Sequence, residues 1–278
     1  MKKILLSSLF VALAIGQSGA QSSVADLPLY AGWAFANKGE IAPSDAEKVQ
    51  LIQDHGYDGF MGCKVDDWNQ IKKSVTVPGL YFGARPATET IEQAIKRLDQ
   101  LAPAISKDKG SIWLFFTYPK DGEKDDEKAL EWLRKFSQWS KDSGYRISLY
   151  AHSNGRVSFY WPDGPSMLDY LERSGVDNMG LVYTVYHDLR GGLEEKLPEN
   201  VAAASGKIDF FSVDGPDLIR RQQEGDDLYI RLLRLLNGKG FKANFMIYSR
   251  QFKEAAPVYL EKQKQAFEAF LTRALAEQ

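Results

Sequence analysis

Short apolar runs with the character of strands alternate with amphipathic runs with the character of helices along residues 29–276. The clearest strand is Ser111–Thr117, a continuous run rich in β-branched and aromatic residues, as strands covered on both faces tend to be. The clearest helix is Asp126–Asp142, which has an apolar face of helical period and ends before Gly144. Strict alternation of this kind predicts a parallel sheet whose crossovers are helical and right-handed.

The number of these units predicts the architecture. The strand-like runs are residues 29–35, 58–63, 79–83, 111–117, 146–150, 180–185, 208–213 and 243–248. Eight units within residues 21–278 fit a closed (β/α)8 barrel, which takes about 250 residues. An open, doubly wound sheet is the alternative, but no glycine-rich phosphate-binding motif supports it. Because no linker or low-complexity tract divides this segment, the sequence predicts a single domain.

Residues 1–20 have the pattern of a cleaved signal peptide. A basic start precedes the apolar run Ile4–Ile15, which is short for a membrane span, and Ser18-Gly19-Ala20 supplies small residues before a cleavage site. The sequence therefore predicts cleavage after Ala20 and a mature chain that is periplasmic or secreted. No later run is long and apolar enough to cross a bilayer. The alternative is that residues 1–20 form a buried N-terminal helix.

Charge and cysteine content exclude several classes of partner. The 35 Lys and Arg residues nearly balance the 37 Asp and Glu residues, so no basic face for nucleic acid is indicated. The single cysteine, Cys63, can form neither an internal disulfide nor a Cys-rich zinc site. We therefore expect a small-molecule ligand for the mature chain, and neither a nucleic acid nor a membrane.

Polar and aromatic residues follow the apolar runs, at the strand ends where such a barrel carries its active site. They are Trp33, Lys64, Arg85, Tyr118, His152, Asn154, Tyr186, His187, Asp188, Asp214, Tyr248 and Arg250. His152 follows the fifth strand and His187 the sixth. Neighbouring strands lie about 4.8 Å apart, so these two imidazoles are predicted to face a shared ligand. Imidazole transfers protons near neutral pH and binds metals, which makes this pair the main catalytic candidate.

The other strand-end residues have weaker signals. Asp214 is predicted as a base, a metal ligand or an acceptor for sugar hydroxyls, but Asp-Gly-Pro is also strong turn chemistry. Lys64 and Arg250 suit an anionic or polarised oxygen, or simply extend to solvent. The predicted substrate-binding residues are Trp33, Lys64, Tyr118, Asn154, Tyr186, Tyr248 and Arg250. Trp161 is a further aromatic face for a sugar ring, although aromatic residues equally suit packing at the barrel mouth.

At these residues the sequence resembles the xylose isomerase-like TIM barrels, which include sugar-phosphate isomerases and epimerases and endonuclease-four-type enzymes. The resemblance covers nearly all of residues 21–278 and is carried by Gly110–Phe115, Gly144–His152 and Asp177–His187. It looks closest to an exported bacterial subgroup that similarly pairs Leu-Tyr-x-His on the fifth strand with a histidine on the sixth. The resemblance implies a (β/α)8 barrel, a sugar substrate and proton abstraction next to a carbonyl, with a divalent metal such as Zn²⁺ or Mn²⁺.

The chain departs from the metal ligands that this resemblance implies. A glutamate is expected near Ala151 and His152, an aspartate at Thr184, a histidine near Phe211 or Ser212, and a glutamate at Tyr248. His187 alone matches the family pattern. If a metal binds, His152 and His187 are its predicted ligands, with Asp214 as a substitute for a missing carboxylate. Hard cations need more oxygen ligands than this set offers.

The sequence therefore predicts an exported carbohydrate-active isomerase or epimerase, or a lyase or hydratase, that transfers a proton next to a sugar carbonyl. His187, His152 and Asp214 are its predicted catalytic residues. Export argues against sugar phosphates, which are cytoplasmic metabolites. The alternative is a non-catalytic sugar-binding barrel that has lost the family metal site. A glycoside hydrolase ranks third, since it needs two carboxylates about 5–10 Å apart and the fourth and eighth strands end in tyrosines.

Overall fold

The computed structural model describes residues 23–32, 43–62, 65–120, 122–152, 158–249 and 254–276. The predicted signal peptide lies outside these ranges and stays a prediction. The same holds for four of the predicted substrate-binding residues, Trp33, Lys64, Asn154 and Arg250.

Eight parallel strands form one curled sheet, in the order β2-β1-β9-β8-β7-β5-β4-β3. The strands are β1 (Leu29–Gly32), β2 (Gly59–Met61), β3 (Gly79–Ala84), β4 (Ser111–Tyr118), β5 (Arg146–Tyr150), β7 (Gly180–Thr184), β8 (Ile208–Asp214) and β9 (Asn244–Tyr248). A parallel bridge between Gly59 in β2 and Thr76, just before β3, closes the sheet. The predicted (β/α)8 barrel is therefore confirmed.

A ninth strand, β6 (Ser158–Phe159), pairs antiparallel with the end of β4. The sequence pattern does not reveal it, because two residues are too few to show a strand period. It precedes β7 in the chain, so the sixth, seventh and eighth strands of the predicted barrel are β7, β8 and β9.

Helices cover the outside of the barrel. They are α1 (Asp45–Asp54), α2 (Trp68–Ile71), α3 (Ile91–Leu101), α4 (Asp126–Ser143), α5 (Gly164–Ser174), α6 (Val185–Arg190), α7 (Leu197–Ala204), α8 (Gly215–Glu224), α9 (Leu228–Gly238) and α10 (Ala256–Ala276). The alternation does not predict α6 and α8. None of the described helices is a candidate for a membrane-spanning segment.

Strand parity divides the buried side chains into two groups. The larger group lies between the sheet and the helices and includes Ala31, Phe60 and Leu114. The smaller group fills the barrel interior with Tyr30, Met61, Trp113, Tyr150, Val182, Phe210 and Met246, against which Tyr81 and Phe115 pack. The interior is thus a packed core, as in other barrels of this kind, and a ligand contacts the barrel at its rims.

Gly79 makes room for the largest interior ring. A Cβ atom at this position would lie 2.3 Å from Nε1 of Trp113. We expect Gly79→Ala to lower the free energy of unfolding by about 1–3 kcal/mol, because an added methyl group overpacks the interior. A Cβ on Gly206 would meet nothing within 4 Å, so Gly206→Ala serves as the control. Urea denaturation compares the two variants, and equal stability would contradict the close packing of Trp113.

Candidate active site

His152 and His187 meet at the carboxyl-terminal rim of the barrel. His152 follows β5, and His187 lies in the first turn of α6, directly after the neighbouring strand β7. Their ring centroids are 5.5 Å apart and their planes are nearly perpendicular, at 88°. The structure thus brings the two imidazoles together, as their strand-end positions predict. Their catalytic role stays a prediction.

Tyr150 lies against both histidines. Its hydroxyl is 3.4 Å from Nε2 of His187, which is a long hydrogen-bond distance. Its ring centroid is 5.6 Å from that of His152 and 5.7 Å from that of His187. Trp113 stacks on the same ring, at 5.5 Å, from the barrel interior. Sequence reasoning gave Tyr150 no role, although it is the last residue of β5 and lies two residues before His152.

A cavity of about 610 Å³ opens beside His152, within the usual size range of small-molecule sites. Phe159 and Phe115 form an aromatic wall, with ring centroids 4.7 and 5.7 Å from the His152 ring. Phe159 reaches this position because β6 pairs with the end of β4. The other lining residues are Gly83, Arg85, Ala87, Thr88, Arg97, Thr117, Tyr118 and Pro119.

The remaining predicted site residues that the structure describes also lie near the rim. Tyr118 lines the cavity, and the Tyr186 ring centroid is 5.3 Å from that of His187. Asp214 and Tyr248 are Cα partners at the ends of β8 and β9. Asp214 is buried, directly before α8. Their roles in binding or catalysis stay predictions.

Trp161 does not face the cavity. It is fully buried, its indole N–H donates to the Tyr150 carbonyl at 3.0 Å, and its ring packs 4.9 Å from that of Phe116. The expectation that it stacks on a sugar ring is wrong, because the packing between sheet and helices encloses it on every side.

Asp188 has a structural role and does not face the active-site rim. It is fully buried, and its carboxylate accepts hydrogen bonds from the Gly164 N–H at 2.8 Å and the Tyr183 hydroxyl at 2.5 Å. Burial raises the pKa of this carboxyl. Burial, together with the adjacent Asp188 charge, also raises the pKa of the Tyr183 hydroxyl. The residue next to His187 therefore anchors α6 to the start of α5.

The described residues do not fit the divalent metal site that the resemblance implies. They include no group of three or more His, Cys, Asp or Glu residues able to hold a metal ion. At the rim, two imidazoles stand together, while Ala151, Thr184 and Tyr248 take positions where acidic ligands are expected. Two nitrogen ligands without a carboxylate are an incomplete set for Zn²⁺ and a poor one for harder cations. The prediction that His152 and His187 bind a metal stays a prediction.

Comparison with known proteins shows the same fold in solved structures. L-ribulose 3-epimerase matches with a TM-score of 0.70 and 13% identity, over 90% of this chain and 96% of that chain. D-allulose 3-epimerase from Methylomonas sp., in complex with D-allulose, matches with a TM-score of 0.64 and 13% identity. The match covers 87% of this chain and 97% of that chain. The IolI protein with a bound zinc atom matches with a TM-score of 0.61 and 14% identity. The match covers 90% of this chain and 100% of that chain.

These similarities define the fold class. The chain is a (β/α)8 barrel with the fold of the xylose isomerase-like TIM barrels. Its solved neighbours include sugar epimerases. No protein-family model matches the chain, and neither does any curated protein.

Proposed function

We propose that this chain is a carbohydrate-active isomerase or epimerase that transfers a proton at the carbon next to a sugar carbonyl. The observation that carries the proposal is the pair His152 and His187, 5.5 Å apart at the rim where barrel enzymes hold their active sites. Two solved neighbours are sugar 3-epimerases, one of them holding D-allulose, which supports the substrate class. The signal-peptide pattern of residues 1–20 supports a periplasmic or secreted location.

The geometry of the pair favours transfer on one face of the substrate. A catalytic group stands about 3–3.5 Å from the atom it attacks, and two bases that act on one carbon must approach it from opposite faces. The two rings lie at the ends of adjacent strands, on one side of the rim, with centroids 5.5 Å apart. They therefore suit attack on neighbouring atoms, as in an aldose–ketose isomerisation, better than a two-base epimerisation.

The proposed step balances with these two side chains alone. His187 removes the proton from the carbon next to the carbonyl, and the C–H electron pair forms the double bond of an enediol. His152 donates a proton to the carbonyl oxygen. The electron pair of the C=O double bond moves to that oxygen as the proton arrives. His187 then returns its proton to the former carbonyl carbon, while His152 takes the hydroxyl proton from the other enediol carbon, whose C–O bond becomes the new carbonyl. An elimination giving a lyase or hydratase would share the first step.

The experiment is proton exchange with solvent. We expect mature protein, residues 21–278, in ²H₂O to exchange the proton next to the carbonyl of a ketose such as D-fructose or D-xylulose, followed by ¹H NMR. Because both proton carriers are side chains, we expect rates to agree within about twofold before and after dialysis against EDTA. Exchange that requires added Zn²⁺ or Mn²⁺ would instead support the predicted metal. Absence of exchange over a panel of ketoses and uronates, with and without metal, would contradict the enzyme proposal.

A non-catalytic sugar-binding barrel is the second candidate. The aromatic wall of the cavity beside His152 favours it, because such rings bind sugar faces without any chemistry. The same NMR samples separate the two functions: saturation transfer to a sugar without exchange of its protons supports binding alone.

A further inference from the structure

Two arginines line the cavity beside His152, and its described lining residues include no aspartate or glutamate. One of them, Arg97, is already neutralised. Its Nη2 lies 2.9 Å from both oxygens of Glu89 and also donates to the Gly83 carbonyl at 3.0 Å. The same guanidinium lies 4.8 Å from the ring centroid of Phe82. Arg97 therefore holds the end of β3 against α3 and offers no net charge to a ligand.

Arg85 is the second cation among the described lining residues of this cavity. It directly follows β3, and its backbone N–H donates to Oε1 of Glu89 at 2.6 Å. No ion pair joins its guanidinium to a carboxylate of the described residues. The cavity thus combines one positive charge, the imidazole of His152 and an aromatic wall.

We infer that this cavity binds sugars that carry an anionic group, with Arg85 as its partner, and that a sugar carboxylate is the natural group. The inference rests on the proposed function, because it places the carbonyl end of the sugar at His152. A planar guanidinium makes two parallel hydrogen bonds to a carboxylate. A carboxylate in the cavity wall would repel such a ligand, and none is present among the described lining residues.

Phosphate fits the same surroundings less well. It carries close to two charges at neutral pH and needs more donors than one guanidinium supplies. The nearest helix start, that of α3, is closed by a capping box: Thr90 Oγ1 accepts from the Gln93 N–H at 3.3 Å, and Gln93 Oε1 accepts from the Thr90 N–H at 2.9 Å. These donors are therefore not available to an anion.

The test is calorimetric binding of D-glucuronate, D-glucose 6-phosphate and D-glucose to the mature protein. We expect glucuronate to bind at least tenfold more tightly than glucose. Arg85→Met should remove this preference while changing glucose affinity less than threefold, and Arg85→Lys should retain only part of it. Lys120→Met is the matched control, since it removes an exposed charge beyond the end of β4 outside the cavity lining; we expect no change beyond twofold.

Several outcomes would overturn the inference. Equal affinity for the three sugars would show that the cavity does not select an anionic group. Tighter binding of glucose 6-phosphate than of glucuronate would show that it selects phosphate rather than carboxylate. A preference for glucuronate that persists in the Arg85→Met variant would show that Arg85 is not the partner of the carboxylate. The deuterium-exchange experiment tests the proposed enzymatic activity independently of this binding experiment. Glucuronate binding through Arg85 without any exchange would leave this inference standing and the enzyme proposal contradicted.

Discussion

Replacement of His187 by glutamine is expected to slow proton exchange by about 10²–10⁴-fold, the usual contribution of a general acid or base. Glutamine is polar and of similar size, so it fills the buried position of His187 without leaving a cavity, but it cannot carry the proton. We expect His152→Gln to have an effect of the same order, because each ring handles one of the two protons. The exchange rate in ²H₂O measures the loss, and circular dichroism verifies the fold.

The third histidine provides the matched control. His55 ends α1, where its Nδ1 lies 2.8 Å from the Leu51 carbonyl oxygen, and it belongs to no strand end. We expect His55→Gln to leave the exchange rate within about twofold of wild type. Exchange in a folded His187→Gln variant at more than a tenth of the wild-type rate would contradict the assignment of His187 as the base.

Tyr150→Phe separates positioning from proton transfer. The substitution removes the hydroxyl that lies 3.4 Å from Nε2 of His187 and keeps the ring that packs on Trp113. If the hydroxyl positions His187, kcat falls about tenfold with little change in KM, and the pH profile of kcat shifts because the imidazole loses a polar neighbour. An unchanged pH profile would restrict Tyr150 to packing.

Asp188→Ala is expected to lower the free energy of unfolding by about 3 kcal/mol. The substitution leaves two buried donors, the Gly164 N–H and the Tyr183 hydroxyl, without their acceptor, and each costs about 1–3 kcal/mol. Asp163→Ala is the comparison, since it removes a half-buried N-cap bond to Ser166 on the same helix and should cost only about 1 kcal/mol. Urea denaturation measures both, and a smaller loss for Asp188→Ala would contradict its anchoring role.

The raised pKa of Asp188 also fixes a pH dependence. A carboxyl with a higher pKa in the folded state binds its proton more tightly when folded. Its stabilising contribution is fully present below the unfolded pKa of about 3.9 and is lost as pH rises through the folded pKa. The stability of wild type relative to an Asp188→Asn variant should therefore fall as pH rises above about 4. A rise over this range would show that the pKa is lowered instead.

The barrel was predictable because periodicity is a local property of the chain. The elements that the sequence did not predict have equally physical causes. Asp214-Gly215-Pro216 reads as a turn, yet α8 begins there, since proline in a first turn lacks only an N–H that has no intrahelical partner. Val185 and Tyr186 continue the apolar run of β7, so the short helix α6 is hidden in what reads as a strand end.

The site was predictable only to the level of which strand ends carry polar residues. Proximity of His152 and His187 follows from adjacent strands, because the order of a barrel fixes the neighbours. The role of Asp188 depends on which way one turn of helix faces, and no spacing rule fixes that. The orientation of Trp161 was equally unpredictable. It precedes a predicted helix near the rim, where a binding role is expected, but its ring packs in the core.

The bridge between Gly59 and Thr76 gives the barrel a seam. Over the described parts of β2 and β3, closure rests on this bridge, with the Phe60 N–H donating to the Thr76 carbonyl at 3.1 Å. By contrast, β3 and β4 pair through six consecutive residues. Local opening costs least where backbone pairing is thinnest. On the shorter path around the barrel, β3 and β4 separate the seam from β5 and β7, which carry the two imidazoles. We therefore expect the seam to open locally without changing the distance between these imidazoles.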